Sequence, residues 1–98
     1  MAYTFHNDPG HGWLEVPRAE ARSAGILGRI THYSYQSRDG ATLYLEEDCD
    51  AALFVDARGL TSADFRDKYS DADSFVRRLP HYAMSPADLR WSLADGPR

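Results

Sequence analysis

The sequence has few of the residues that mark several large classes of protein. It contains one cysteine, Cys49, one lysine, Lys68, and no apolar run approaching the roughly 18 residues that a membrane span needs. A single cysteine cannot form an intramolecular disulfide, so the chain does not require an oxidising compartment. The amino end also lacks the apolar stretch of a secretory signal. We therefore expect a cytoplasmic protein that makes no membrane contact.

A basic excess is absent as well. Fifteen acidic residues outnumber eleven basic ones, which gives a net charge of −4. Proteins that bind nucleic acid without regard to its sequence gather a surplus of Lys and Arg on one face. A phosphate-binding loop is missing too, because Gly10 and Gly12 lead into a predicted strand and not into a helix. These absences predict no direct nucleic-acid contact and no cofactor.

What remains is the composition of an ordinary small globular domain. The chain has 98 residues, of which 43% are hydrophobic and 27% are charged. This length supports one core, so we expect a single domain over residues 1–98. The mixture of predicted strands and helices indicates an α+β fold, with an antiparallel sheet of about three or four strands and two or three helices.

Local patterns place these elements along the chain. The clearest signal is a hairpin, in which two alternating segments flank the turn dipeptide Asp39-Gly40. Residues 64–69 fit an edge strand slightly better than a helix capped by Ser62. The full set is a strand at 12–16, a helix at 18–24, hairpin strands at 30–36 and 41–46, a helix at 51–58 ended by Gly59, the edge strand at 64–69, a short apolar segment at 75–79 and a final helix at 86–93.

An acidic run at residues 46–50 is the most distinctive feature. Four carboxylates lie within five positions, directly before the predicted helix at 51–58. Some of this charge favours the positive end of a helix, but the side chains also repel one another. A basic protein partner would relieve that repulsion. The predicted protein-binding residues are Glu46, Glu47, Asp48 and Asp50, joined by Asp71 and Asp73 on a later loop.

The histidines offer a different hypothesis. His6, Asp8 and His11 are spaced so that, with His32 or Cys49, they could approach a mixed zinc site. The spacing matches no strong zinc signature, and polar residues are equally usual in a tight turn. We therefore predict no metal site and no catalytic residue. A small metal-dependent enzyme that uses His6, Asp8 and His11 is the alternative.

Cys49 is not predicted to be a nucleophile. A helix amino end lowers the pKa of a thiol, but the neighbouring Asp48 and Asp50 raise it.

Aromatic and basic residues leave two further questions open. Tyr33, Tyr35 and Tyr44 on the hairpin, with Trp13, could stack nucleic-acid bases, or they could simply pack in the core. The arginines Arg77, Arg78 and Arg90 would serve a regulator that contacts DNA. The predicted edge strand at 64–69 could pair with a second copy, so both a monomer and a homodimer are open.

Four blocks of the sequence carry a resemblance. They are GHGWLEVP at 10–17, YSYQ at 33–36, YLEEDCDA at 44–51 and DSFVRRLP at 73–80. In these blocks the chain resembles a group of short bacterial proteins carried on phages, plasmids and genomic islands. The resemblance covers residues 10–80, is lost over residues 83–98, and brings with it no catalytic residue or cofactor.

The resemblance implies a genomic context, that of mobile genetic elements. Small acidic proteins of mobile elements often bind host defence complexes, as anti-CRISPR proteins do, and here the likeness is one of context and not of motif. This context and the acidic run together predict an inhibitor without catalysis. It would act by stoichiometric binding to a basic partner such as a CRISPR effector complex.

Overall fold

The residues that the structure describes form five strands and three helices, which confirms the α+β class. The computed structural model describes the backbone of residues 2–94 and the side chains of residues 2–90. The elements are β1 (Tyr3–Asn7), β2 (Gly12–Pro17), α1 (Arg18–Ser23), β3 (Tyr35–Gln36), β4 (Thr42–Glu46), α2 (Ala51–Arg58), β5 (Phe65–Tyr69) and α3 (Pro86–Ala94), with 3-10 turns at Leu27–Arg29, Ser62–Asp64 and Phe75–Arg78. No helix of these residues is long and apolar enough to cross a membrane.

The strands form one mixed sheet in the order β3-β4-β2-β1-β5. All neighbours are antiparallel except β1 and β5, which run parallel. The sheet is therefore mixed and not purely antiparallel, and it has five strands where three or four were expected, because β1 was not predicted. Its edge partner β5 confirms the preference for a strand over a helix at residues 64–69.

The register gives the sheet two different faces. Leu14 pairs with Leu45, and Val16 pairs with Leu43, so these four side chains point to the same side. We call this side the core face. All four are fully buried in one apolar cluster with Ile26 and Leu27 from the segment after α1, Phe54 from α2 and Tyr82 from the segment before α3.

The opposite side of the same strands carries polar and aromatic residues. We call it the cleft face, and its residues in β1, β2 and β4 are His6, Trp13, Glu15, Tyr44 and Glu46. Only a short segment covers it, since Val76 and Leu79 of the last 3-10 turn and its end pack on Trp13 and Tyr44. The sequence predicted a short apolar segment at residues 75–79, and residues 75–78 form a 3-10 turn in the structure.

The hairpin differs from the prediction in its first strand. Of residues 30–36, only Tyr35–Gln36 are paired as a strand. The preceding residues turn around a buried carboxylate, because the N–H and hydroxyl of Thr31 and the hydroxyl of Ser34 all donate to Asp50 Oδ2. A side chain 16 residues further along the chain thus sets the shape of this loop.

The last helix is held by buried ion pairs. Its start confirms Ser85 as the cap, since the Asp88 N–H donates to Ser85 Oγ and the Ser85 N–H donates to the Asp88 carboxylate. Asp88 is fully buried and pairs with Arg18 and Arg22 from α1. Burial alone would raise the pKa of Asp88, but the hydrogen bonds from Ser85 and Arg22 and the charge of Arg18 hold it below its usual value.

Candidate functional site: an acidic and aromatic cleft

The cleft face opens to solvent in a cleft of about 260 Å³. We call it the acidic-aromatic cleft. Aromatic side chains, which we call the aromatic wall, line it together with carboxylates and one guanidinium. The lining residues are His11, Trp13, Tyr33, Tyr35, Glu46, Asp48, Cys49, Arg77 and His81.

The aromatic wall is a series of contacting rings. Trp13 and Tyr35 meet edge to face with 6.1 Å between ring centroids, and Tyr35 stacks on His81 at 4.6 Å. Tyr33 stands exposed at the rim. Trp13 is almost completely buried, and its Nε1 has no hydrogen-bond partner among the described residues. The unpaired N–H is therefore itself buried, and the exposed ring of the wall is that of Tyr33.

A buried carboxylate fixes the guanidinium of Arg77. Asp8 Oδ2 accepts from Nε at 2.6 Å, and Oδ1 accepts from Nη2 at 2.8 Å. This bidentate pair, with backbone N–H groups of Ser74, His11 and Gly10, lowers the pKa of Asp8 far below its usual value. The guanidinium lies 5.2 Å from the centre of the Trp13 ring. The charge of Arg77 is therefore already matched within the protein.

Glycine at position 10 leaves space for this arrangement. A Cβ atom there would lie 2.7 Å from Arg77 Nη2. Neither Gly10 nor Gly12 has a positive φ, so the reason for glycine here is close approach and not backbone freedom.

The histidine motif of the sequence does not come together. His6 is buried, with Nε2 2.8 Å from Glu15 Oε1, and Asp8 is committed to Arg77. Among the described residues, the one group of three potential metal ligands is His11, Glu46 and Asp48, with ligand atoms within 4.8 Å of one another. His11 alone is shared with the hypothesis from the sequence.

Glu46 closes the turn before α2. Its Oε2 accepts hydrogen bonds from the N–H groups of Asp48 and Cys49, both at 2.8 Å. Its Oε1 faces His11 Nδ1 at 3.6 Å, and the side chain is only 9% exposed. Glu46 therefore belongs to the cleft, but it presents a single oxygen to it.

The acidic surface predicted from the sequence is smaller in the structure. Asp50 is fully buried and bound to Thr31 and Ser34, so its placement on a binding surface was wrong. The Asp50 side chain also makes no hydrogen bond that caps α2. The first turn of α2 holds no acidic residue, so the expected interaction of acids in that turn with the helix dipole was wrong.

The other predicted acids are exposed, but only one of them lines the cleft. Glu47 and Asp48 are both exposed; Asp48 lines the cleft, whereas the Glu47 carboxylate lies beside Gly12. Asp73 is exposed beside Arg77, at 3.9 Å, whereas Asp71 lies on the exposed loop that precedes it.

Cys49 and the arginines of the proposed DNA regulator have defined places in the structure. Cys49 is exposed, and local desolvation, a hydrogen bond with Glu46 and the charges of nearby carboxylates raise its pKa. Such a thiol is poorly suited to nucleophilic attack. Arg78 and Arg90 are exposed, while Arg77 is bound to Asp8.

His81 was not foreseen in the site. It forms an isolated bridge to Tyr35 and lies with Nδ1 2.7 Å from the carbonyl oxygen of His32. No pattern around residue 81 signals this contact.

Comparison of the chain with protein-family models, with curated proteins and with solved structures gives no match. The chemistry of the cleft is therefore the basis for inferring a function. Ring faces attract cations, and carboxylates form strong hydrogen bonds with guanidinium and ammonium groups. An arginine or lysine side chain is the kind of group that this combination binds.

Proposed function

We propose that the protein is a binding module without catalysis, and that its acidic-aromatic cleft receives a basic side chain from a protein partner. The observation that carries this proposal is that the exposed carboxylate of Asp48 lines the same cleft as the aromatic wall. A long basic side chain would lay its stem on the rings while its charge meets the carboxylates.

The protein's own Arg77 illustrates this chemistry. Its guanidinium lies over the Trp13 ring and is held by the carboxylate of Asp8. Because that charge is paired, the unmatched charge at the rim of the cleft is acidic. A basic partner surface would be attracted to it, and the attraction would weaken as salt is added.

The resemblance to proteins of mobile elements supports a particular kind of partner. A host defence complex of the CRISPR type presents a basic surface to nucleic acid, and carboxylates can occupy such a surface in place of phosphates. We therefore propose stoichiometric inhibition of a complex of this kind, in which the acidic rim competes with nucleic acid for the same basic residues.

The test is to mix the protein with purified CRISPR effector complexes and to measure co-elution and target-DNA binding. The key variant carries Asp48→Arg in the cleft, and the matched control is Asp56→Arg at an exposed position of α2. We expect co-elution and loss of DNA binding with the wild type and the control, and affinity on the order of tenfold or more weaker with Asp48→Arg.

Two results would contradict the proposal at different levels. If no effector complex co-elutes with the wild type, the assignment to host defence is wrong. If Asp48→Arg binds as tightly as the control does, the interface lies outside the cleft.

A further inference from the structure

We infer that the acidic-aromatic cleft contains a site for one divalent transition-metal ion, formed by His11, Glu46 and Asp48. The three side chains come from the turn after β1, the end of β4 and the turn before α2. Their ligand atoms lie within 4.8 Å of one another. The site differs from the histidine motif of the sequence, because neither His6 nor Asp8 takes part.

The strongest observation is the state of the Glu46 carboxylate. Its Oε2 is fixed by two backbone N–H groups, so the side chain cannot rotate without losing both hydrogen bonds. Its Oε1 is directed toward His11 Nδ1, and the Glu46 side chain is nine-tenths buried. A carboxylate in such a place is stabilised when a positive group faces it.

The distance to His11 fits a metal better than a direct hydrogen bond. His11 Nδ1 lies 3.6 Å from Glu46 Oε1, beyond the usual range for a hydrogen bond. Two ligands that are each about 2.1 Å from a tetrahedral metal lie about 3.4 Å apart. An ion between these atoms would therefore satisfy both of them with little movement.

The donor set selects the class of metal. One imidazole and two carboxylates suit Zn²⁺ and related transition metals, whereas Mg²⁺ and Ca²⁺ prefer sites made of oxygen alone. Three protein ligands would leave one coordination position open to the cleft. The ion would also neutralise Asp48, so it would lower the affinity of the cleft for a basic partner.

Zinc binding can be measured on the isolated chain, independently of any partner. Calorimetric titration of the full chain, with affinity tags removed, uses ZnCl₂ as the probe and MgCl₂ for comparison. We expect one Zn²⁺ per chain and much weaker binding of Mg²⁺. His11→Ala and Asp48→Asn should each weaken zinc binding about tenfold or more.

Matched controls separate this site from adventitious binding. His32→Ala and Asp56→Asn remove an exposed imidazole and an exposed carboxylate outside the group and should leave the zinc affinity unchanged. Glu46→Gln could disturb the turn, so Asp48→Asn, at an exposed position, is the decisive variant.

Three results would overturn the assignment. They are the absence of stoichiometric zinc binding, full zinc affinity in His11→Ala or Asp48→Asn, and loss of zinc binding in Cys49→Ser with His11→Ala unaffected. None of them bears on whether the cleft binds a protein partner. The two proposals can therefore fail separately.

Discussion

The two faces of the central strands are built from the same two segments of chain, but they have different chemistry. On the core face, Leu14 and Leu45 are fully buried in an apolar cluster. On the cleft face, the neighbouring residues Trp13 and Glu46 lie at a cleft that one short 3-10 turn leaves partly open. The alternation of a strand thus separates an apolar, closed face from a polar and aromatic face that is partly open, within a single sheet.

The largest effect on stability should come from the core face. Phe54 is fully buried and meets Tyr3 edge to face at 5.3 Å. Phe54→Ala should lower the free energy of unfolding by about 3–5 kcal/mol, because it removes a large side chain and leaves a cavity. Urea denaturation measures this. Leu89→Ala, at a half-exposed position, is the control. A loss below about 1 kcal/mol would show that α2 does not seal the core face.

The cleft face should depend on its ion pair. Asp8→Asn removes the charge that holds Arg77, and we expect a loss of about 2–3 kcal/mol in the free energy of unfolding. This is less than for a fully buried pair, since the Arg77 side chain is 31% exposed. Unchanged stability would mean that the Asp8 carboxylate does not organise this face.

Acid should weaken the buried ion pairs of both Asp8 and Asp88. Their pKa values are lower in the folded chain than in the unfolded one, so the unfolded state binds protons first as pH falls. The stabilisation is complete above about pH 5, where the unfolded carboxylates are ionised. It declines as pH drops through about 4, by up to roughly 1.4 kcal/mol per pH unit for each carboxylate.

Urea denaturation at a series of pH values measures this decline. Asp8→Asn should flatten it in part. A free energy of unfolding that rises on acidification would contradict the assigned pairing.

A smaller effect tests the geometry of the Arg77 contact. Gly10→Ala places a Cβ atom against Nη2 of Arg77, which must move away. We expect a loss of about 1 kcal/mol in the wild type and almost none in the Arg77→Ala background. A double-mutant cycle by urea denaturation gives the coupling. Equal losses in the two backgrounds would place the strain elsewhere.

The smallest effect on stability should come from the exposed acids Glu47 and Asp48. Glu47→Gln with Asp48→Asn should change the free energy of unfolding by no more than about 0.5 kcal/mol, because both side chains are exposed. The same variant should bind a basic partner more weakly. A large loss of stability would show that these acids have a structural role.

Local patterns predicted much of the fold. The alternation around Leu43 and Leu45, the glycine at 59 and the Ser85 cap are short-range signals, and the elements they mark are present. β1 was not predicted, although its partner β2 follows it directly in the chain; its other partner, β5, is about 60 residues away in the sequence.

The site was harder to predict, since charge alone does not show where a side chain points. Asp8 and Asp50 look like ordinary surface acids in the sequence. Their partners, such as Arg77 at 69 residues from Asp8, are supplied only by the folded chain. Trp13, Tyr35 and Asp48 were visible as residue types, but their convergence depends on the register of the sheet.

The most direct test of the account is to map where a basic probe binds. In ¹⁵N-labelled protein titrated with a hexa-arginine peptide, the largest amide shifts should fall on Gly12, Glu47, Asp48 and Cys49 and should fade as salt is added. The amides of α2 and β5 should barely move. No shifts, or the largest shifts on α2 or β5, would contradict the claim that the cleft face is the binding face.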